Sequence, residues 1–174
     1  MKRLVTSALM MIQLAGSAGG TIVLAQSAQS DVEFYRSLKA SFLSDTQIEG
    51  RRVVAMAKGI AADKFGWKPA NDNNLAANRP LASTFLNLAW ACWTRPSTFG
   101  AAPPSGFDLN QKAADYENST TDKDKIAEQM TRAFAYSEES IRKLSEADLA
   151  KHVKLANGRD TTVGALVAAM VEYN

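Results

Sequence analysis

Apolar residues recur every three to four positions along most of the chain beyond residue 30, and that period predicts helices. The first stretch carries Val32, Phe34, Tyr35, Leu38 and Phe42, and its continuation carries Val53, Met56, Ala57 and Ile60. Ser30 with Glu33, and Thr46 with Glu49, both have capping-box spacing, so the pattern fits one helix over 31–62 or two joined near Ser44-Asp45. FGWKP at 65–69 ends this region, because Gly66 can turn the chain and Pro69 disfavours helix at Lys68. ANDNNLAANRP then reads as a polar loop. LASTFLNLAWACWT, Leu81 to Thr94, is apolar on nearly every side and predicts a second helix buried almost all round, with Pro80 suited to its start.

RPSTFGAAPPSGFDLN reads as a Pro/Gly-rich connection to a third helix, from near Thr121 to about Leu144. Ile126, Met130, Ala133, Phe134, Ser137, Ile141 and Leu144 form its inner face; Lys125, Glu128, Arg132, Glu139 and Arg142 form a solvated one. SEADLAKHV adds a short helix, and Asn157-Gly158 turns the chain. A fourth helix follows, capped by Asp160 or Thr161, with Val163, Leu166, Val167, Met170 and Val171 on one stripe. No convincing strand alternation is present. Four long helical segments predict an all-α, antiparallel four-helix bundle. The last stripe is still running at Asn174, with no Gly, Pro or basic turn to close it, so the last helix reads as incomplete.

The N-terminal stretch has a different character. Lys2 and Arg3 precede a largely apolar run from Leu4 to Leu14, and Val23-Leu24-Ala25 supplies small residues for cleavage. This is the layout of a secretory signal peptide over 1–25, leaving a domain at 26–174. Gln13 and the glycines at 16, 19 and 20 break the run, which argues against a membrane anchor. The expected location is secreted or periplasmic. Lys2 and Arg3 also account for the whole formal net charge of +2, since residues 1–25 hold no acid. The processed chain is neutral, and nucleic-acid binding loses its electrostatic support.

Candidate chemistry is sparse. The sequence has no GxGxxG, P-loop, HExxH, CxxC or Gly-x-Ser-x-Gly motif. One His and one Cys cannot assemble an ordinary zinc site, and a lone Cys92 inside an apolar helix reads as a small hydrophobe. His152, between Lys151 and Lys154, reads as a solvated loop residue, and the Asn118-Ser119-Thr120 sequon needs no more than a loop. Glu138 and Glu139 fall off the inner stripe of the third helix, which disfavours a carboxylate-bridged metal pair. Trp90 and Trp93 lie one turn apart beside Leu86, as core residues or as part of a ligand or dimer surface.

FGWKP followed by NRPLASTFLNLAWACW resembles the DinB-like (YfiT-like) four-helix bundles. In that family an aromatic-x-aromatic-x-Pro stretch closes the first helix, and an Arg-Ser…Leu-x-His-Ile/Val-Ala pattern builds the second. The similarity continues in order through PSTFGAAPPSGFDL, TDKDKIAEQMTRAFAYSEESI, ADLAKHVKL and TTVGALVAAMVEYN, covering essentially all of 31–174. The resemblance implies a bundle that holds a divalent metal, such as zinc or nickel, on one histidine of the second helix and a His-xxx-His pair of the fourth. It also implies hydrolase or thiol-transferase chemistry in the active members.

Those ligands are not carried over. Arg79 matches the family arginine and Leu88-Ala89 the residues after the histidine, but the histidine position itself is Asn87. The first histidine of the last helix falls at Tyr173, with a one-residue ambiguity toward Glu172, and the second falls beyond Asn174. A Tyr phenolate can bind ferric iron, but an amide and a phenol suit zinc or nickel poorly. The expectation is therefore an exported DinB-like protein without a functional metal site and with no cofactor. Its candidate pocket comprises Asn87, Trp90, Trp93 and Tyr173, its partner is a small molecule, and residue 174 is a truncation point. The alternatives are a metal-dependent hydrolase or thiol transferase of the DinB-like type, and an interaction module that forms a homodimer over the exposed seam of the fourth helix.

Overall fold

A computed structural model describes residues 19–68, 79–155 and 158–172, with side chains from residue 32 through 170 within those spans. Residues 1–18, Pro69, Asn157 and Tyr173 therefore lie outside the described residues. Helix α1 (Gly19–Gly59) is one rod of 41 residues. The break weighed near Ser44-Asp45 does not occur, and neither capping pair starts a helix. Thr46 is buried, and the turns around it are held by packing: Phe42 and Ala57 face inward, and Gly50 lies against the ring of Phe134. Local capping preference is a weaker signal than that burial.

After α1 the chain folds back through Phe65, whose carbonyl accepts the amide of Ala82 at 2.9 Å, while Trp67 O accepts that of Leu81 at 3.0 Å. Helix α2 (Leu81–Thr94) has the predicted bounds, with Pro80 at its N-cap position. Only Thr84 on it is exposed, so the apolar character on all sides is used. The connection that follows is not all loop. It holds a 3-10 turn, Arg95–Phe99, and a five-residue helix, α3 (Ala113–Glu117).

Helix α4 (Lys123–Arg142) starts at Asp122, whose carboxylate accepts the amides of Asp124 and Lys125. It buries the expected stripe, and Leu144 lies just past its end. Lys39 of α1 closes the C-terminal end, its ammonium donating to the carbonyls of Arg142 at 2.7 Å and Leu144 at 2.5 Å. Lys39 with Arg142, Gln47 with Glu138, and Gly50 with Phe134 give the order of an antiparallel pair. Glu138 is thus half-buried against α1, where the sequence placed it off the inner stripe.

Helix α5 (Glu146–Leu149) opens on a Ser145/Asp148 capping box. Two strands then correct the strand-free expectation: β1 (His152–Lys154) pairs antiparallel with β2 (Asp160–Thr162). Strands of three residues are too short to show alternation. Gly158, with φ +81°, supplies the left-handed residue of the turn. Helix α6 (Val163–Glu172) is capped by Thr162, whose hydroxyl accepts the amide of Ala165, rather than by Asp160 or Thr161.

The described chain is an all-α bundle with a small hairpin. Its apolar interior has two parts. One joins Ala57 and Phe65 to α2, Tyr116 and the first half of α4; the other joins Phe42 to Ile141, Leu149, Val163, Val167 and Met170. No described helix is long and apolar enough to cross a membrane.

Candidate functional site

Ser83, Asn87 and Trp90 recur at helical spacing along one side of α2, and α3 packs across them. The last residues of α3 and the residue after it meet that row. Glu117 Oε1 accepts a hydrogen bond from Asn87 Nδ2 at 2.6 Å, and Glu117 Oε2 faces Arg79 Nη1 at 3.0 Å. Ser83 Oγ donates to Asn118 Oδ1 at 3.2 Å, and Asn118 Nδ2 donates to Ala114 O at 2.7 Å, closing the end of α3. Glu117 keeps only 9% of its side chain exposed. A carboxylate at a helix C-terminus meets an unfavourable dipole, so the amide and the guanidinium are what make its burial tolerable.

One residue earlier, Tyr116 points into an aromatic cluster, its hydroxyl accepting the indole N–H of Trp93 at 3.0 Å. Phe107 lies at the centre of that cluster, with ring centroids 5.3 Å from Trp93, 5.4 Å from Trp90 and 5.9 Å from Tyr116. These separations are those of interacting aromatic pairs. Burial raises the Tyr116 phenol above its ordinary pKa, only partly offset by the Trp93 hydrogen bond. Beside the cluster is a cavity of about 210 Å³, bounded by Trp93, Phe107, Tyr116, Gln129, Arg132 and the Pro104–Gly106 turn. Gln129 Oε1 is buried and has no hydrogen-bond partner among the described residues. Cys92 is buried as well, and desolvation pushes its thiol up to about 12, so it is no nucleophile at neutral pH.

The structure thus divides the pocket proposed from sequence. Trp90 and Trp93 share the aromatic cluster through Phe107, whereas Asn87 is committed to Glu117. Tyr173 lies outside the described residues. Sequence reasoning missed Tyr116, Glu117 and Phe107. Phe107 lies within the Pro/Gly-rich connection and Tyr116 and Glu117 just beyond it, in a stretch too short to carry a period. Among the described residues, no group of three His, Cys, Asp or Glu side chains is placed to hold a metal ion.

Neither a family model nor a curated protein matches the sequence. A solved structure does match in three dimensions: a histidine-to-alanine mutant of mycothiol-dependent maleylpyruvate isomerase, with TM-score 0.58 and 10% identity. The match covers 76% of this chain and 56% of that one, so the chain spans little more than half the length of that protein. The described chain has the DinB-like helical fold.

Proposed function

We propose that this chain is an exported DinB-like protein that binds a small molecule and has no working metal site. The observation that supports this best is the engagement of Asn87. Where the family resemblance implies a metal-binding imidazole, an amide stands instead, its nitrogen donating to a buried carboxylate that Arg79 also pairs. The amide oxygen left for a cation is a poorer ligand for zinc or nickel than an imidazole, and among the described residues no group of three His, Cys, Asp or Glu side chains is placed to complete a site. The described residues do not fit the metal.

The cavity beside Trp93, Phe107 and Tyr116 is the binding site this reading favours. Its aromatic wall, with Gln129 and Arg132 at the edge, suits a small ring-bearing molecule that carries a polar group. Loading the protein with zinc, nickel or iron and measuring bound metal by mass spectrometry tests the absence of a metal site. Substoichiometric metal is expected; stoichiometric uptake that disappears in Asn87→Ala overturns the reading. Export rests on the leader at 1–25, and N-terminal sequencing of secreted or periplasmic protein should begin at Gln26. The packing of Tyr35 and Phe42 with α6 and the Arg36–Glu146 pair lie beyond the leader, so processing leaves them in place.

A second reading draws on the fold likeness to an isomerase: a metal-dependent enzyme of the DinB-like type. It needs ligands other than Asn87, and the metal assay above decides for it or against it. A third reading is a homodimer over α6, supported by a cavity of about 260 Å³ between Arg95, Thr98, Leu166, Ala169 and Met170. Sedimentation that remains monomeric across micromolar concentrations would rule it out. A neutral chain beyond the leader supports no nucleic-acid partner.

A further inference from the structure

A groove of about 520 Å³ runs between α1 and α4 and shares no residue with the Glu117 cluster or the aromatic cavity. Its size is that of a small-molecule site. Small side chains create it. At Gly50 a Cβ would lie 3.0 Å from Phe134 Cγ, and Ala55 and Ala135 add no bulk. Val54 and the Phe134 ring supply an apolar lining.

The charged groups of the groove that are left without a partner among the described residues are of one sign. Its single acid, Glu138, is already occupied, accepting from Gln47 Nε2 at 2.6 Å and pairing with Arg142. On the opposite rim Arg51 and Lys58 sit two turns apart on α1, on the same face and about 10 Å apart along the axis. Both are exposed, and neither has an ion pair or hydrogen bond among the described residues. Elsewhere the exposed cations are commonly engaged, as Arg36 is by Glu146 and Arg52 by Glu49. Two uncompensated cations above an apolar lining complement one ligand chemistry, an anionic head on a hydrophobic body.

We propose that the α1–α4 groove binds a free organic acid, its carboxylate between Arg51 and Lys58 and its hydrocarbon body along Val54 and Phe134. Hydrophobic contact supplies most of the affinity, and the cations select the charge and fix which end lies at the rim. The head need not lose all its water, because both cations lie at the surface.

The probe is decanoate, titrated calorimetrically into the full chain at low salt, with decyltrimethylammonium as its charge-reversed counterpart. Saturable one-to-one binding of decanoate, and none of the cation, is expected. The Arg51→Glu/Lys58→Glu variant should weaken decanoate binding at least tenfold. Ala135→Leu, a substitution at an exposed helix position, should do the same by filling the groove without touching the charges. Circular dichroism melts of both variants should match the parent. No saturable binding, equal binding of the cation, or undiminished affinity in either variant overturns the proposal. None of these outcomes bears on the metal question, so the two readings succeed or fail separately.

Discussion

Asn87 and Glu117 meet at 2.6 Å between α2 and α3, with the donor on a nearly all-apolar helix and the acceptor on a helix of only five residues. The carboxylate can only accept, so the amide nitrogen must face it. Glu117→Ala leaves the amide without its acceptor and Arg79 without its counter-charge. We expect a loss of about 1–3 kcal/mol in urea unfolding with an unchanged m-value. Glu117→Gln should lose less, because it keeps an acceptor for Asn87 while turning a donor toward Arg79. Equal stability of all three proteins would show that the contact is incidental.

Cys92 gives a prediction in pH. Burial holds the thiol protonated up to about 12 in the folded chain, against an ordinary 9.0. The unfolded chain therefore releases a proton that the native chain keeps, and stability falls as pH rises from about 9 toward 12, by up to about 1.4 kcal/mol per pH unit. Below pH 9 the contribution is complete. The raised Tyr116 phenol acts in the same direction above its ordinary 10.0. Cys92→Ala should flatten the decline between pH 9 and 10. At pH 8 a disulfide exchange reagent should label the thiol only after denaturant is added.

Gly164 is a packing requirement. A Cβ there would lie 2.6 Å from Tyr35 Cε1 and 3.1 Å from the Leu149 carbonyl oxygen. Gly164→Ala should destabilise by roughly 1–3 kcal/mol, despite the gain of up to about 1 kcal/mol that alanine normally brings to a helix. In a Tyr35→Ala background the same change should cost measurably less, and a double-mutant cycle reads that coupling.

Lys39 tests the end of α4. Lys39→Met keeps the apolar stem but removes the ammonium from the carbonyls of Arg142 and Leu144. A loss of roughly 1–2 kcal/mol is expected. At this chain length that lowers Tm by about 2–4 °C per kcal/mol. An unchanged melt would mean that water caps those carbonyls equally well.

What the sequence made legible follows from the range of each signal. Leu81–Thr94 was readable because Pro80 marks its start and an unbroken apolar run fills it. The α4 stripe was readable because Ile126, Met130, Ala133, Phe134, Ser137 and Ile141 repeat over about four turns. The Thr46 and Glu49 capping pair left one helix or two open, because a local motif cannot register that Phe42 and Gly50 are packed on α4 and its neighbours. The hairpin and α3 were too short to carry a period. Glu117 was invisible for a deeper reason. Its burial depends on Asn87 and Arg79, which are distant along the chain, so nothing beside it marks it.

The uninterrupted α1 has a mechanical consequence. Phe42 belongs to one apolar cluster and Ala57 to the other, so a single rod is the shared wall of both. Fraying around α6 unseats Phe42 and loosens the rod on which the other half leans. Trp90 and Trp93 are packed near Phe107, whereas Trp67 is 57% exposed. Indole emission from one end of the bundle should therefore change in step with the departure of a helix at the other.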